Sequence, residues 1–126
     1  MKGKAGAETV AVIGASPKPD RYAYRAMEML REHGHHAIPV NPAYPEILGE
    51  KCYASIADLP GKIDTATLYL GKRRSDSIAA EILKAEPRRI IFNPGAENPD
   101  LASRAQERGI EVIEGCTLVM LRSGTF

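Results

Sequence analysis

Apolar and polar positions come in blocks along the chain, and two periods account for them. Thr9-Val10-Ala11-Val12-Ile13 is a short continuous apolar run, as expected of a strand buried on both faces of a parallel sheet. From Ala23 the period lengthens. Ala23, Ala26, Met27 and Leu30 fall on one side of a helix, and Arg25, Glu28, Arg31 and Glu32 fall mostly on the other. Asp20 is the expected N-cap and Gly34 the expected stop. Ala37-Ile38-Pro39-Val40 predicts a second strand, whose proline makes pairing on both sides less comfortable. Residues 42–60 read as loop, with one short helical turn expected after Pro45 and another from Ser55 to Leu59.

The same alternation continues to the end. Thr65 to Leu70 predicts a third strand, Ser75 to Glu86 a long helix ended by Pro87, and Arg89 to Phe92 a fourth strand. Asn98-Pro99-Asp100 combines a capping residue, a proline at the first helical position and an acid in the first turn. The helix it starts should end at Gly109. Glu111-Val112-Ile113 supplies a fifth strand, and Cys116 to Leu121 a short last helix closing the sheet edge. Five strands joined by crossovers predict an α/β protein, a Rossmann-like three-layer sandwich around a five-stranded parallel sheet. One domain is expected over residues 9–126, after a flexible N-terminal tail over residues 1–8.

Composition narrows the classes. A length of 126 residues suits one domain and not two. The formal net charge of +1 gives no global field for nucleic acid or an acidic membrane surface. No apolar run reaches the roughly 20 residues of a membrane span. Cys52 and Cys116 stand alone without metal-ligand or disulfide spacing, so a reduced, cytoplasmic protein is expected.

Chemistry in such folds gathers beyond the carboxyl ends of the strands. The loops to inspect are therefore Gly14 to Arg21, Asn41 to Pro45, Leu70 to Ser75, Asn93 to Asn98 and Glu114 to Thr117. The first departs from the dinucleotide pattern G-x-G-x-x-G. Gly14 permits the tight turn, but Ser16 and Pro19 occupy the later glycine positions. Strand two ends in Asn41-Pro42 where a ribose-binding acid would be expected, which disfavours NAD. Lys18, Arg21 and Arg25 surround the entry to the first helix, with Arg73-Arg74 on a neighbouring loop. Cations there oppose the helix dipole, and a phosphate ligand would explain them; a solvated basic rim is the plainer alternative. His33, His35 and His36 fall at the other end of that helix, away from the ligand loops. Cys116 is read as a packing residue, and Glu97 is the one acid placed in the pocket.

Taken together, VIGASPKPDRYAYRAMEML, AIPVNP, the Leu70 to Ser75 loop, IIFNPGAENPDLA and CTLVMLRSG resemble the small stand-alone CoA-binding proteins of the succinyl-CoA synthetase alpha-subunit-like type. The resemblance runs from Thr9 almost to the end of the chain. It implies a CoA-binding Rossmann-like domain with strand order 3-2-1-4-5. It further implies that Gly14, Ala15, Ser16, Pro17 and Lys18 meet the ligand's phosphates, with Arg21 assisting. Asn41 and Pro42 would sit beside the adenosine, Leu70, Arg73 and Arg74 would line the third loop, and Asn93, Pro94, Gly95 and Ala96 would border the pantetheine path. Larger proteins of this type make or cleave acyl-CoA with a phosphorylated histidine and a nucleotide-grasp module in further domains, which 126 residues cannot house.

The expected function is thus binding of CoA or acyl-CoA by a non-catalytic carrier, sensor or subunit module, with no nucleic acid, no membrane, no metal and an unidentified protein partner possible. Two alternatives stay open. One is an acyl-CoA-processing enzyme or enzyme subunit using Cys116 or Glu97; the other is an NAD(P)-binding redox sensor.

Overall fold

Strand β1 (Thr9–Ile13) lies between β2 (His36–Val40) and β5 (Thr65–Leu68), and β6 (Arg89–Phe92) and β7 (Glu111–Glu114) extend the sheet beyond β5. All four pairings are parallel. The computed structural model describes residues 6–126; residues 1–5, part of the expected tail, lie outside the described residues. Glu8 is held in the fold: the Thr65 hydroxyl donates to its carboxylate at 2.6 Å and Arg88 pairs with it at 2.7 Å.

Side chains alternate across the sheet and feed two cores, because successive strand residues point to opposite faces. Ala11, Ile13, Ala66, Leu68, Ile90 and Phe92 pack against α3 (Ala79–Ala85) and α4 (Pro99–Glu107). Val10 and Val12 pack on the other face against Ala23, Met27 and Leu30 of α1 (Tyr22–Glu32) and Leu121 of α5 (Thr117–Ser123). The predicted three-layer α/β sandwich with a five-stranded parallel sheet is therefore the architecture observed. The last helix sits on the α1 face rather than beyond the edge strand.

Strand order is β2-β1-β5-β6-β7. Outside β2, a single parallel bridge joins Val40 to Tyr53. The five-stranded order β2-β1-β5-β6-β7 is the arrangement that the resemblance implies as 3-2-1-4-5, and the bridge lies outside it. This bridge also explains how Pro39 is accommodated. The Pro39 carbonyl accepts from the Tyr53 amide at 3.0 Å, so its missing donor faces the sparsely paired outer side of β2.

Four local expectations are corrected. After Pro45 the chain forms a hairpin, β3 (Glu46–Ile47) and β4 (Glu50–Lys51), not a helical turn. Leu48 and Gly49 both take positive φ there, the conformation a two-residue hairpin turn requires. The second long helix starts early and breaks: α2 (Lys72–Ser77) is separated from α3 at Ile78. The Ser75 and Ser77 hydroxyls donate to carbonyls three residues back, competing with the regular ladder. The third strand ends at Leu68, releasing Tyr69 and Leu70 beyond the sheet. Asp20 is not the cap of α1; Arg21 holds that position without a side-chain hydrogen bond. By contrast, Asn98 caps α4 as expected, its carbonyl accepting from the Leu101 amide.

Candidate functional site

The strand ends of β1, β2, β5 and β6 open onto two adjoining cavities, of about 430 and 200 Å³. Gly14, Asn41, Leu70 and Arg74 border both. Gly14 makes the junction possible. Its φ is +88°, and a Cβ there would lie 2.8 Å from Leu70 Cδ2 and 3.2 Å from the Tyr69 carbonyl carbon. Only glycine meets both demands.

The larger cavity is bordered by the first loop through Ala15, Ser16, Lys18 and Arg21, and across from it by Pro94, Gly95 and Ala96. Ser16 shapes that loop by accepting the Lys18 amide on its hydroxyl oxygen at 3.1 Å. The first turn of α1 contains no acid. Its first residues, Tyr22 and Ala23, border the same cavity as Lys18 and Arg21, and its leading amides have no partner within the helix. The smaller cavity adds Pro42 and is walled by Ile13, Val40, Ile56 and Ile78.

Twelve of the fifteen residues singled out in the sequence border one cavity or the other. Pro17, Arg73 and Asn93 do not. Of the arginine pair, Arg74 is the one on the cleft, while Arg73 lies exposed on α2. Their neighbour Lys72 is occupied elsewhere, pairing with Asp76 at 2.9 Å and Asp100 at 3.1 Å. Those carboxylates raise the Lys72 pKa, and Lys72 in turn lowers that of Asp76.

Both asparagines of the Asn-Pro pairs act on the protein itself. The Asn41 amide donates to the Ala15 carbonyl at 2.8 Å, and its oxygen accepts the Ala43 amide at 2.8 Å. The first and second loops are thereby tied together. Asn93 is buried, donating to the Thr67 hydroxyl at 2.7 Å and the Leu68 carbonyl at 2.8 Å, and accepting from the Thr117 amide at 2.9 Å. It shapes the cleft from behind.

Sequence reasoning missed Tyr22, Tyr44 and Tyr69 on the larger cavity, and Ser55, Ser77 and Glu81 on the smaller. The expected strand, Thr65 to Leu70, covers Tyr69 and so hides it. The Tyr69 hydroxyl is buried without a hydrogen bond of good geometry, and burial pushes its pKa up to about 12. The phenol is therefore neutral at physiological pH. Ser55 and Glu81 lie 26 residues apart, and no local pattern announces their contact.

Cys116 is half-buried at the N-cap of α5 and borders neither cavity. The exposed Glu97 accepts the Gly95 amide at 3.0 Å, closing its own loop. The three histidines lie near the start of β2 and the end of α1, away from the cleft. Among the described residues no group of three His, Cys, Asp or Glu could hold a metal, and no helix is long and apolar enough to cross a membrane.

Comparison with known proteins places the chain in a family. The CoA binding domain family matches residues 8–122. The chain is 41% identical over 126 aligned positions to an ADP-forming acetate–CoA ligase of Archaeoglobus fulgidus, covering 92% of this chain and 18% of the ligase. It is 29% identical to Bacillus subtilis YneT, covering 82% of this chain and 77% of that one. Among solved structures, a crystal structure of an uncharacterized protein superposes with a TM-score of 0.89 at 43% identity, covering 95% of this chain and 98% of the other. The chain thus spans most of one small relative and less than a fifth of the ligase, and a match over residues 8–122 means that it belongs to the CoA binding domain family.

Proposed function

We propose that the cleft holds coenzyme A or acyl-CoA, and that the chain is a non-catalytic carrier, sensor or subunit module for it. The observation that carries this reading is the sorting of chemistry along one cleft. Lys18, Arg21 and Arg74 are its cations, and a smaller chamber with an aliphatic wall of Ile13, Val40, Ile56 and Ile78 adjoins them across Gly14 and Leu70. A diphosphate and a 3′-phosphate need such cations. A flat base needs such a chamber.

In this reading the phosphates lie against Gly14 to Lys18, the α1 amides and Arg21. The adenosine lies beside Asn41 and Pro42, and the pantetheine arm follows Pro94 to Ala96. Asn41 stands where a ribose acid would, and so brings no negative charge against a 3′-phosphate. Arg73 and Asn93 support the site from outside it, Arg73 by long-range charge and Asn93 by fixing the loop.

Calorimetric titration with CoA, dephospho-CoA, NAD and NADP tests the reading. CoA is expected to bind most tightly. Lys18→Ala should weaken it by about tenfold at low salt and by less at high salt, where the charge is screened. Binding of NADP without CoA would overturn the proposal and favour a redox sensor.

A further inference from the structure

The two cavities differ in one respect that phosphate binding leaves unexplained. Arg74 and Ser77 of α2, Ile78 at the break, and Glu81 of α3 all border the smaller cavity. Arg74 borders both cavities, whereas Glu81 borders the smaller one and not the larger. Glu81 is the one acid among the described residues bordering either cavity.

We propose that Glu81 is a specificity residue that accepts a hydrogen bond from the exocyclic amino group of the ligand's base. The inference rests on the CoA reading and adds to it the reason for adenine. A carboxylate offers acceptors only, so it selects a donor and repels both phosphate and carbonyl oxygen. Its orientation is fixed. The Ser55 hydroxyl donates to Glu81 Oε1 at 2.6 Å, and the Ser55 oxygen in turn accepts the Ala57 amide at 3.0 Å. The other carboxylate oxygen has no hydrogen bond among the described residues, and the chamber beside it combines the apolar Ile13, Val40, Ile56 and Leu70 with the polar Asn41, Ser77 and Arg74. A neutral aromatic base with an amino edge matches such a slot. A 6-oxo base would set its carbonyl against the carboxylate.

The test compares CoA with its deaminated analogue, in which hypoxanthine replaces adenine, by calorimetry on the full chain. Wild type is expected to prefer CoA by about tenfold or more, because in the same pose deamination replaces the amino donor facing the carboxylate with a carbonyl acceptor and moves the nearest donor, N1–H, one ring position away. Glu81→Gln keeps the size of the side chain and can offer either an acceptor or a donor, so its preference should shrink to about twofold. Equal affinities in wild type would overturn the role of Glu81, and so would an undiminished preference in the variant. Glu81 would then only anchor Ser55. The wild-type comparison decides even if the variant does not fold. Loss of binding to both ligands in wild type is a separate result, which removes the CoA reading itself.

Discussion

The same dipeptide, Asn-Pro, ends two strands of this sheet and builds two different corners. After β6, Asn93-Pro94-Gly95-Ala96 closes as a turn in which the Ala96 amide donates to the Asn93 carbonyl at 2.8 Å. Gly95 takes φ +89°, so proline followed by left-handed glycine gives a type II turn. After β2, the residue following the proline is Ala43, which does not favour positive φ. There the side chain makes the turn instead, Asn41 accepting the amide two residues on. Position in the sheet separates the asparagines further. β6 is interior and its Asn93 reaches back into the core, whereas Asn41 at the sparsely paired β2 reaches across to the first loop. A shared motif thus fixes where the chain turns, and its surroundings decide what the side chain holds.

The largest consequence is predicted for Asn93→Ala. Three partners, the Thr67 hydroxyl, the Leu68 carbonyl and the Thr117 amide, would lose a hydrogen bond in the interior. The Thr67 and Thr117 hydroxyls, 2.8 Å apart, would be left to each other. We expect a loss of about 3 kcal/mol, since buried groups deprived of partners cost more than an average hydrogen bond contributes. Urea denaturation checks it, as a lower midpoint with an unchanged slope. A loss below about 1 kcal/mol would erase the distinction between the corners.

Asn41→Ala should cost less stability, about 1 kcal/mol, because the residue is only half-buried and water can replace its bonds. Its larger effect should fall on the ligand. Without the link to the Ala15 carbonyl, the first and second loops lose their mutual register, and positioning is sensitive to small shifts. CoA affinity should fall severalfold in Asn41→Ala, whereas any change in Asn93→Ala should follow its lost stability. Calorimetry beside the urea series separates the two. Equal effects of the two substitutions on affinity per unit of stability lost would contradict the proposed division of labour.

The contrast also shows what the sequence could reveal. Periodicity sufficed for the layers, the parallel sheet and the placing of Gly14, Lys18, Arg21 and Pro94 to Ala96 on the ligand edge, because these follow from local pattern and from the rule that ligands sit beyond strand ends. The resemblance sets Asn93 beside the ligand path, while the side chains it bonds in the fold, Thr67 and Thr117, lie 26 and 24 residues away where no local pattern points to them. Arg73 and Arg74 are indistinguishable until the phase of α2 is known. Ser55 and Glu81 escaped for the reason that hid Asn93's partners: only the fold brings them together. Hairpin β3–β4 was missed because Leu48-Gly49 is a poor turn signal, with a bulky residue at positive φ.

The prolines provide the smallest and cleanest test of the comparison. Pro42 and Pro94 are both exposed rim residues, and their side chains contribute little packing. Each acts mainly by restricting the unfolded chain, so Pro42→Ala and Pro94→Ala should each cost about 0.5 kcal/mol and resemble each other. If the asparagines differ by several-fold while the prolines match, the difference between the corners lies in the side-chain partners and not in the shared turn. A much larger loss for Pro94→Ala would locate it instead in the Pro94-Gly95 turn, where alanine followed by left-handed glycine forms less readily. The same urea series resolves these outcomes when the four variants are measured together, since each is compared at a common slope.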